Sequence, residues 1–208
     1  ENLGYLNGAN VGKNALSEQM GGSPNWWILA NADICVSPVF FQRLLTGPWA
    51  NSIALLSPDV REDQAWPRNP FHHQRPSSLK ILSRIALFST KTLTAAYVKA
   101  ARWKRAIATP PSIPAEPKRI YSTHGSLMVF HNRFFERGGT LEYGGFLYGE
   151  EIHVAEQVRQ MGLDILWAPS LQAHHQGGAA MELVSMDQRR KWWKQSYAFL
   201  YRTYFQND

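Results

Sequence analysis

Short apolar runs separated by a helical stretch fix the fold class of this chain more tightly than anything else in it. "WWILAN" at 26–31 is a continuous apolar run of strand length, the pattern of a strand covered on both faces. Ser37-Pro38 then supplies an N-cap and a first helical position, opening a helix through Leu45 that stops at Gly47-Pro48. "SIALL" at 52–56 is a second buried strand. Strand, helix, strand in that order calls for an α/β sheet.

The rest of the chain continues the pattern. Residues 10–20 read as a short helix closed by Gly21 and Gly22. The Pro-, Asn-, His- and Arg-rich segment 57–78 reads as a loop, and 79–107, with Leu79, Leu82, Ile85 and Phe88, as one helix before the Pro-rich connector "TPPSIPAEP". "IYSTHGSLMVF" at 120–130 is strand-like, and a turn of helix is expected over 131–137. A helix opened by Glu150-Glu151 runs straight into the strand "LDILWAP", which "AHHQGG" follows. A last helix, Met186 to about Phe205, carries Trp192, Trp193, Tyr197, Phe199, Tyr201, Tyr204 and Phe205.

At 208 residues and 44% hydrophobic content the chain can bury a core and is most simply one domain. It has no run of eighteen apolar residues and no signal-peptide layout. Cys35 is its only cysteine, so no intramolecular disulfide forms, which suits a reducing cytosol. The net charge of +6 is concentrated: Arg61, Arg68, Arg75, Lys80, Arg84, Lys91, Lys99, Arg102, Lys104, Arg105, Lys118 and Arg119 face only three acids over 60–119. The bland reading of such a block is a solvated surface, and the sharper one is an anionic membrane surface. Nucleic acid is not an expected partner, because the aromatics and the basic block occupy different segments and no recognition motif is present.

Two adjacent carboxylates at a helix start raise a chemical question, since acids there also simply complement the macrodipole. Counting along the helix, Glu151 shares a face with Val154, Ala155 and Val158, all apolar, whereas Glu150 is offset toward Gln157. A carboxylate leading a buried face needs a partner or a task. Asp33, in "NAD", follows a buried strand, and His175 follows the last one. Both are therefore expected at the carboxyl edge of the sheet, where open α/β sheets bind ligands. A carboxylate and an imidazole there can share a divalent cation, Mg²⁺ or Mn²⁺.

The order "ENLGYLNGANVGKN", "WWILANADICVSP", "THGSLMVF" and "FLYGEEIHVAEQVRQMGLDILWAPSLQAHHQGGA" resembles the family 2 glycosyltransferases of the GT-A fold, nearest to bacterial rhamnosyltransferase-like members. The resemblance covers 1–56 and 120–180, and weakly the C-terminal helix, and implies a Rossmann-like mixed sheet with flanking helices. The whole of 1–208 would be one partial domain of that fold, with 57–119 as a basic loop and helix insertion and 186–205 as a C-terminal aromatic helix. It implies that Asp33 ends the metal-binding acidic triplet that Asn31 begins, and that Glu151 is the catalytic base with Glu150 beside it. Gly125 matches the glycine on the strand next to the donor sugar, and His175 a histidine near the metal. Asn2, Gly4, Asn7, Gly8, Asn10 and Gly12 match the polar turn on the donor side. His153 stands where a second acid is frequent, and Gln157 where many members have Arg. The family's first strand and acidic turn, which hold the nucleotide, have no counterpart before Glu1, so the fold is expected to be N-terminally truncated, with open sheet edges.

The activity implied is inverting transfer of a sugar from a nucleotide-sugar donor to a hydroxyl of a glycan or lipid-linked acceptor in polysaccharide biosynthesis. The expected location is cytoplasmic, peripheral at the inner face of the cell membrane. One carboxylate suffices for such chemistry; a glycoside hydrolase needs two facing each other across roughly 5–9.5 Å, which neighbours on one helix cannot do. The alternative from a different class is a non-catalytic membrane-associated interaction module or an inactive fragment of such an enzyme. Its support is the basic helix 79–107 and the aromatic C-terminal helix.

Overall fold

A computed structural model describes residues 1–61, 68–109, 114–176 and 184–208. The glycines at 177–178 and parts of the expected loop and Pro-rich connector lie outside the described residues. Within them the expected α/β class is what forms: a mixed six-stranded sheet flanked by helices. The elements in chain order are α1 (Tyr5–Met20), β1 (Trp26–Ala30), β2 (Ile34–Val36), α2 (Pro38–Thr46), β3 (Ile53–Arg61), α3 (Ser78–Leu87), α4 (Lys91–Ile107), β4 (Lys118–Ile120), β5 (Leu127–His131), α5 (Arg133–Glu136), α6 (Glu150–Gln160), β6 (Asp164–His175) and α7 (Met186–Leu200), which continues as a π-helical turn, Tyr201–Phe205.

The sheet order is β1-β5-β3-β6-β2, with β4 also on β6. Among the described residues only β3 and β6 run parallel, and the other strand pairings are antiparallel. Two apolar layers hold it. Phe40 and Leu44 of α2 pack on Leu56, Val60, Val129 and Leu171 on one face. On the other, Leu6 of α1, Ile81 of α3, Ile152, Ala155 and Val158 of α6, and Leu200 and Phe205 close over Leu55, Phe130 and Trp167.

Several elements differ from the sequence reading for identifiable reasons. The strand "WWILAN" is not covered on both faces: β1 is an edge strand, and Ile28 is 40% exposed. The helix expected over 10–20 starts at Tyr5, because Gly4 at φ +81 turns the chain into it and Leu6 is buried. β3 runs past Ser57-Pro58 to Arg61, into the segment read as loop. A register shift at Pro58 absorbs the proline, and Asn69 Nδ2 donates to its carbonyl at 2.9 Å. The single helix expected over 79–107 is two, because Thr90 caps α4 by accepting from Leu93 N–H and Thr94 donates back to Leu87 O. The strand-like 120–130 divides into the end of β4 and the start of β5, with a turn between. β6 continues through Pro169 to His175, so His175 is the last residue of that strand rather than a loop residue beyond it.

The aromatic C-terminal helix is committed to the domain. Trp193 stacks on Phe88 with ring centres 5.0 Å apart, Trp192 lies on Phe146 at 4.8 Å, and Phe205 is fully buried. Its aromatics are therefore spent on packing, which removes this helix as support for a membrane module.

Candidate active site

The α6 junction is built from a strained turn. Gly149, at φ +84, precedes the helix, and a Cβ there would meet Leu200 Cδ1 at 2.8 Å and Tyr143 Oη at 2.9 Å. Tyr148, at φ +72, is the one non-glycine residue with positive φ among the described residues. Three contacts hold it there: its carbonyl accepts from Tyr143 Oη–H at 2.6 Å, its ring lies 4.9 Å from Trp193, and its N–H donates to Glu150 Oε1 at 2.9 Å. Ser196 Oγ–H donates to Leu147 O at 2.8 Å, tying the turn to α7. Backbone strain kept by this many contacts is typical of functional turns.

The two glutamates that follow are not separated by helix face as the periodicity suggested. α6 lies between the sheet and the C-terminal helix, so residues from Glu150 to Val158 are buried apart from Glu151, which keeps partial exposure. Hydrogen bonding separates them instead. Glu150, only 5% exposed, bonds its own turn, whereas Glu151 Oε1 accepts from Gly125 N–H at 3.2 Å. Burial, reinforced by the Glu151 charge, pushes the Glu150 carboxyl up to about 8. Burial also raises Glu151, against the N–H groups of its own residue, Gly125 and Gly149. The helix N-terminus thus fails to outweigh desolvation. Two such interacting carboxyls titrate as a pair.

Gly125 lies in the turn two residues before β5, not on the strand. A Cβ there would come 3.1 Å from Glu151 Oε1, and its carbonyl accepts from Tyr5 Oη–H at 2.6 Å. The next residue, Ser126, accepts Asn31 N–H at 2.9 Å, which joins this turn to the one carrying Asp33. Asp33 Oδ1 in turn lies 3.1 Å from His175 Nε2, and Asp33 O accepts Gln176 N–H at 3.0 Å. Asn31, Asp33, His175, Gly125 and Glu151, scattered over 145 positions of sequence, are therefore linked contact by contact along one edge of the sheet.

The donor set at Asp33 and His175 suits Mg²⁺ or Mn²⁺ only in part. Among the described residues no group of three or more His, Cys, Asp or Glu converges. One carboxylate oxygen and one imidazole nitrogen are still enough for a cation that completes its shell with water and a ligand's phosphates, the habit of Mg²⁺ in particular.

Asn7 and Asn10 are placed differently. Asn7 makes a two-way amide pair with the backbone of Tyr143, donating at 2.9 Å and accepting at 2.9 Å, and so pins α1 to the turn before α6. Asn10 is half-buried about one turn further along α1. Gln157 makes the equivalent pair with the backbone of Thr140, at 2.8 and 3.1 Å, while His153, lowered to about 4 by burial, meets Tyr204 Oη at 2.8 Å.

One cluster had no signal in the sequence. Glu156 is fully buried and accepts from Arg75 at 2.7 and 3.1 Å, from Tyr121 Oη–H at 2.6 Å and from Arg159 at 2.9 Å. Burial alone would raise this carboxyl, but those three donors outweigh it and hold it below its ordinary range. Arg75 also pairs with Asp208, donates to Tyr204 O at 3.0 Å and lies 4.2 Å over the Phe205 ring, so this network fastens the segment 204–208 to α6.

No family model and no curated protein matches the chain. Among solved structures the chain is similar to GalNAc-T7, determined with UDP, GalNAc and Mn²⁺, at 17% identity over 84% of this chain with a TM-score of 0.49. The chain spans 31% of the length of that protein.

Proposed function

We propose that the chain carries the acceptor side and metal edge of a GT-A glycosyltransferase of the family 2, rhamnosyltransferase-like kind. The reading is that it moves a sugar from a nucleotide-sugar donor to a hydroxyl with inversion. The observation that carries the reading is the Glu151–Gly125 hydrogen bond in a turn that also holds Asn31, and through it Asp33 and His175. A candidate base and a candidate cation pair on one sheet edge support transfer better than hydrolysis, because both carboxyls of the Glu150-Glu151 pair sit at one helix end.

In this account the ionised Glu151 carboxylate takes the proton of the acceptor hydroxyl as its oxygen bonds to the anomeric carbon. The bond from that carbon to the donor's diphosphate breaks in the same displacement, and its electron pair leaves with the diphosphate. A raised carboxyl pKa is an advantage for a base working near neutral pH. Asp33 and His175 would hold a divalent cation, whose charge would offset that growing on the leaving diphosphate. Glu150, protonated over much of the neutral range, would keep its neighbour's charge uncontested.

The test is binding and turnover of a panel of nucleoside diphosphate sugars with Mn²⁺, each compared with Asp33→Asn. Mn²⁺-dependent binding that Asp33→Asn abolishes supports the reading. Binding of no donor, or binding indifferent to Asp33→Asn, overturns it.

A further inference from the structure

We propose that α4 docks flat on an anionic lipid surface. Its inner side is fixed to the domain: Thr94 is buried and bonded to Leu87 O, and Tyr97 packs on Phe88 at 5.8 Å under the Arg84 guanidinium at 4.5 Å. Its outer side is different. Leu93, Ala96, Ala100, Trp103 and Ile107 recur at steps of three and four and so form one row. All five are exposed, with Leu93 at 52%, Trp103 at 67% and Ile107 at 63%.

Single exposed apolar residues are ordinary, but a five-residue row centred on a tryptophan is a surface built to be covered. Lys99, Arg102 and Lys104 border that row, and residues 91–107 contain no acid. Cations beside an apolar, Trp-bearing row are the composition of a helix lying in the headgroup layer. A second copy of the chain is a poor occupant, since pairing the rows would bring the bordering cations together. No helix among the described residues is long and apolar enough to cross a membrane, so α4 would lie along the surface.

The placement has a consequence for the site. From Tyr97, ring contacts of 5.8, 5.0 and 4.9 Å pass through Phe88 and Trp193 to Tyr148, whose N–H binds Glu150. A docked α4 therefore holds the carboxylate pair a few side chains from the bilayer, where the hydroxyl of a membrane-borne acceptor would arrive. The docking is read from α4 itself and goes beyond sugar transfer without depending on it.

The experiment is co-sedimentation of the whole chain with vesicles of phosphatidylglycerol and phosphatidylcholine, against vesicles of phosphatidylcholine alone, at low and high salt. Binding to the anionic vesicles, lost as salt shortens the screening length, is expected. Arg102→Gln with Lys104→Gln should weaken it roughly 25-fold, at about fivefold per cation near such a surface. Trp103→Ala with Ile107→Ala should weaken it at low salt while circular dichroism stays unchanged, because both side chains are exposed. Equal binding to both vesicle types, binding to neither, or binding untouched by both double variants would overturn the proposal. So would concentration-dependent dimerisation abolished by Trp103→Ala with Ile107→Ala, which would assign the row to a second copy. No sugar donor is present in this assay, so its failure leaves the transferase reading to its own test.

Discussion

Replacing Gly149 with alanine tests whether the turn before α6 is held in its strained form by packing. Two costs add. An L-residue in the left-handed region loses about 1–2 kcal/mol relative to glycine. The new Cβ also falls 2.8 Å from Leu200 Cδ1 and 2.9 Å from Tyr143 Oη. Both are far ends of side chains, but Leu200 is fully buried and Tyr143 Oη–H is bonded to Tyr148 O, so neither can move freely. Overpacking of that kind costs about 1–3 kcal/mol. The total is about 2–5 kcal/mol, a fall in Tm of roughly 4–20 °C for a chain of this size. Gly162→Ala is the control: its φ is +66 but a Cβ there meets nothing within 4 Å, so only the backbone cost of about 1–2 kcal/mol applies. Urea unfolding of both variants should rank Gly149→Ala at least about 1 kcal/mol below Gly162→Ala. Equal losses would refute the claim that Leu200 and Tyr143 clamp the turn.

Three further outcomes are expected. Glu151→Gln should lower transfer roughly 100- to 10,000-fold, the usual worth of a general base, while Glu150→Gln costs far less; the reverse order at saturating substrate would exchange their roles. Because folding raises the Glu150 carboxyl from 4.5 to about 8, the folded state holds that proton more tightly. Its contribution to stability is full below pH 4.5 and fades as pH climbs through 8, so urea midpoints should fall across that window and Glu150→Gln should flatten the fall. Arg75→Ala should cost about 3–5 kcal/mol, because it strips the buried Glu156 carboxylate of its two-pronged partner; a loss under about 1 kcal/mol in urea unfolding would show that Tyr121 and Arg159 suffice.

The sequence made the α/β class legible because its strand runs and helix caps are local signals. Ser37-Pro38 opened α2 where expected, and Asp33 and His175, expected together at the carboxyl edge of the sheet, lie 3.1 Å apart. What failed was whatever tertiary structure decides. The segment 57–78 reads as a loop by composition, yet a register shift at Pro58 lets β3 carry the proline and run on to Arg61. Phe88 continued the hydrophobic period of 79–107, but Thr90 found a capping bond and ended the helix there. Helix-face counting assigned Glu151 inward and Glu150 aside, but α6 is covered on nearly every side, so the count could not discriminate. The Arg75–Glu156 pair spans 81 positions and leaves no periodic trace at all.

The central claim is that Asp33, His175, Gly125 and Glu151 form one site for a cation-bound diphosphate and a sugar acceptor. Paramagnetic broadening by Mn²⁺ in amide NMR spectra, recorded with a nucleoside diphosphate present, tests it most directly. The account predicts selective loss of the Asp33, His175, Gly125 and Glu151 signals, abolished by Asp33→Asn, while those of α4 from Lys99 to Ile107 persist. Broadening centred elsewhere in the chain, or none that Asp33→Asn removes, would contradict it.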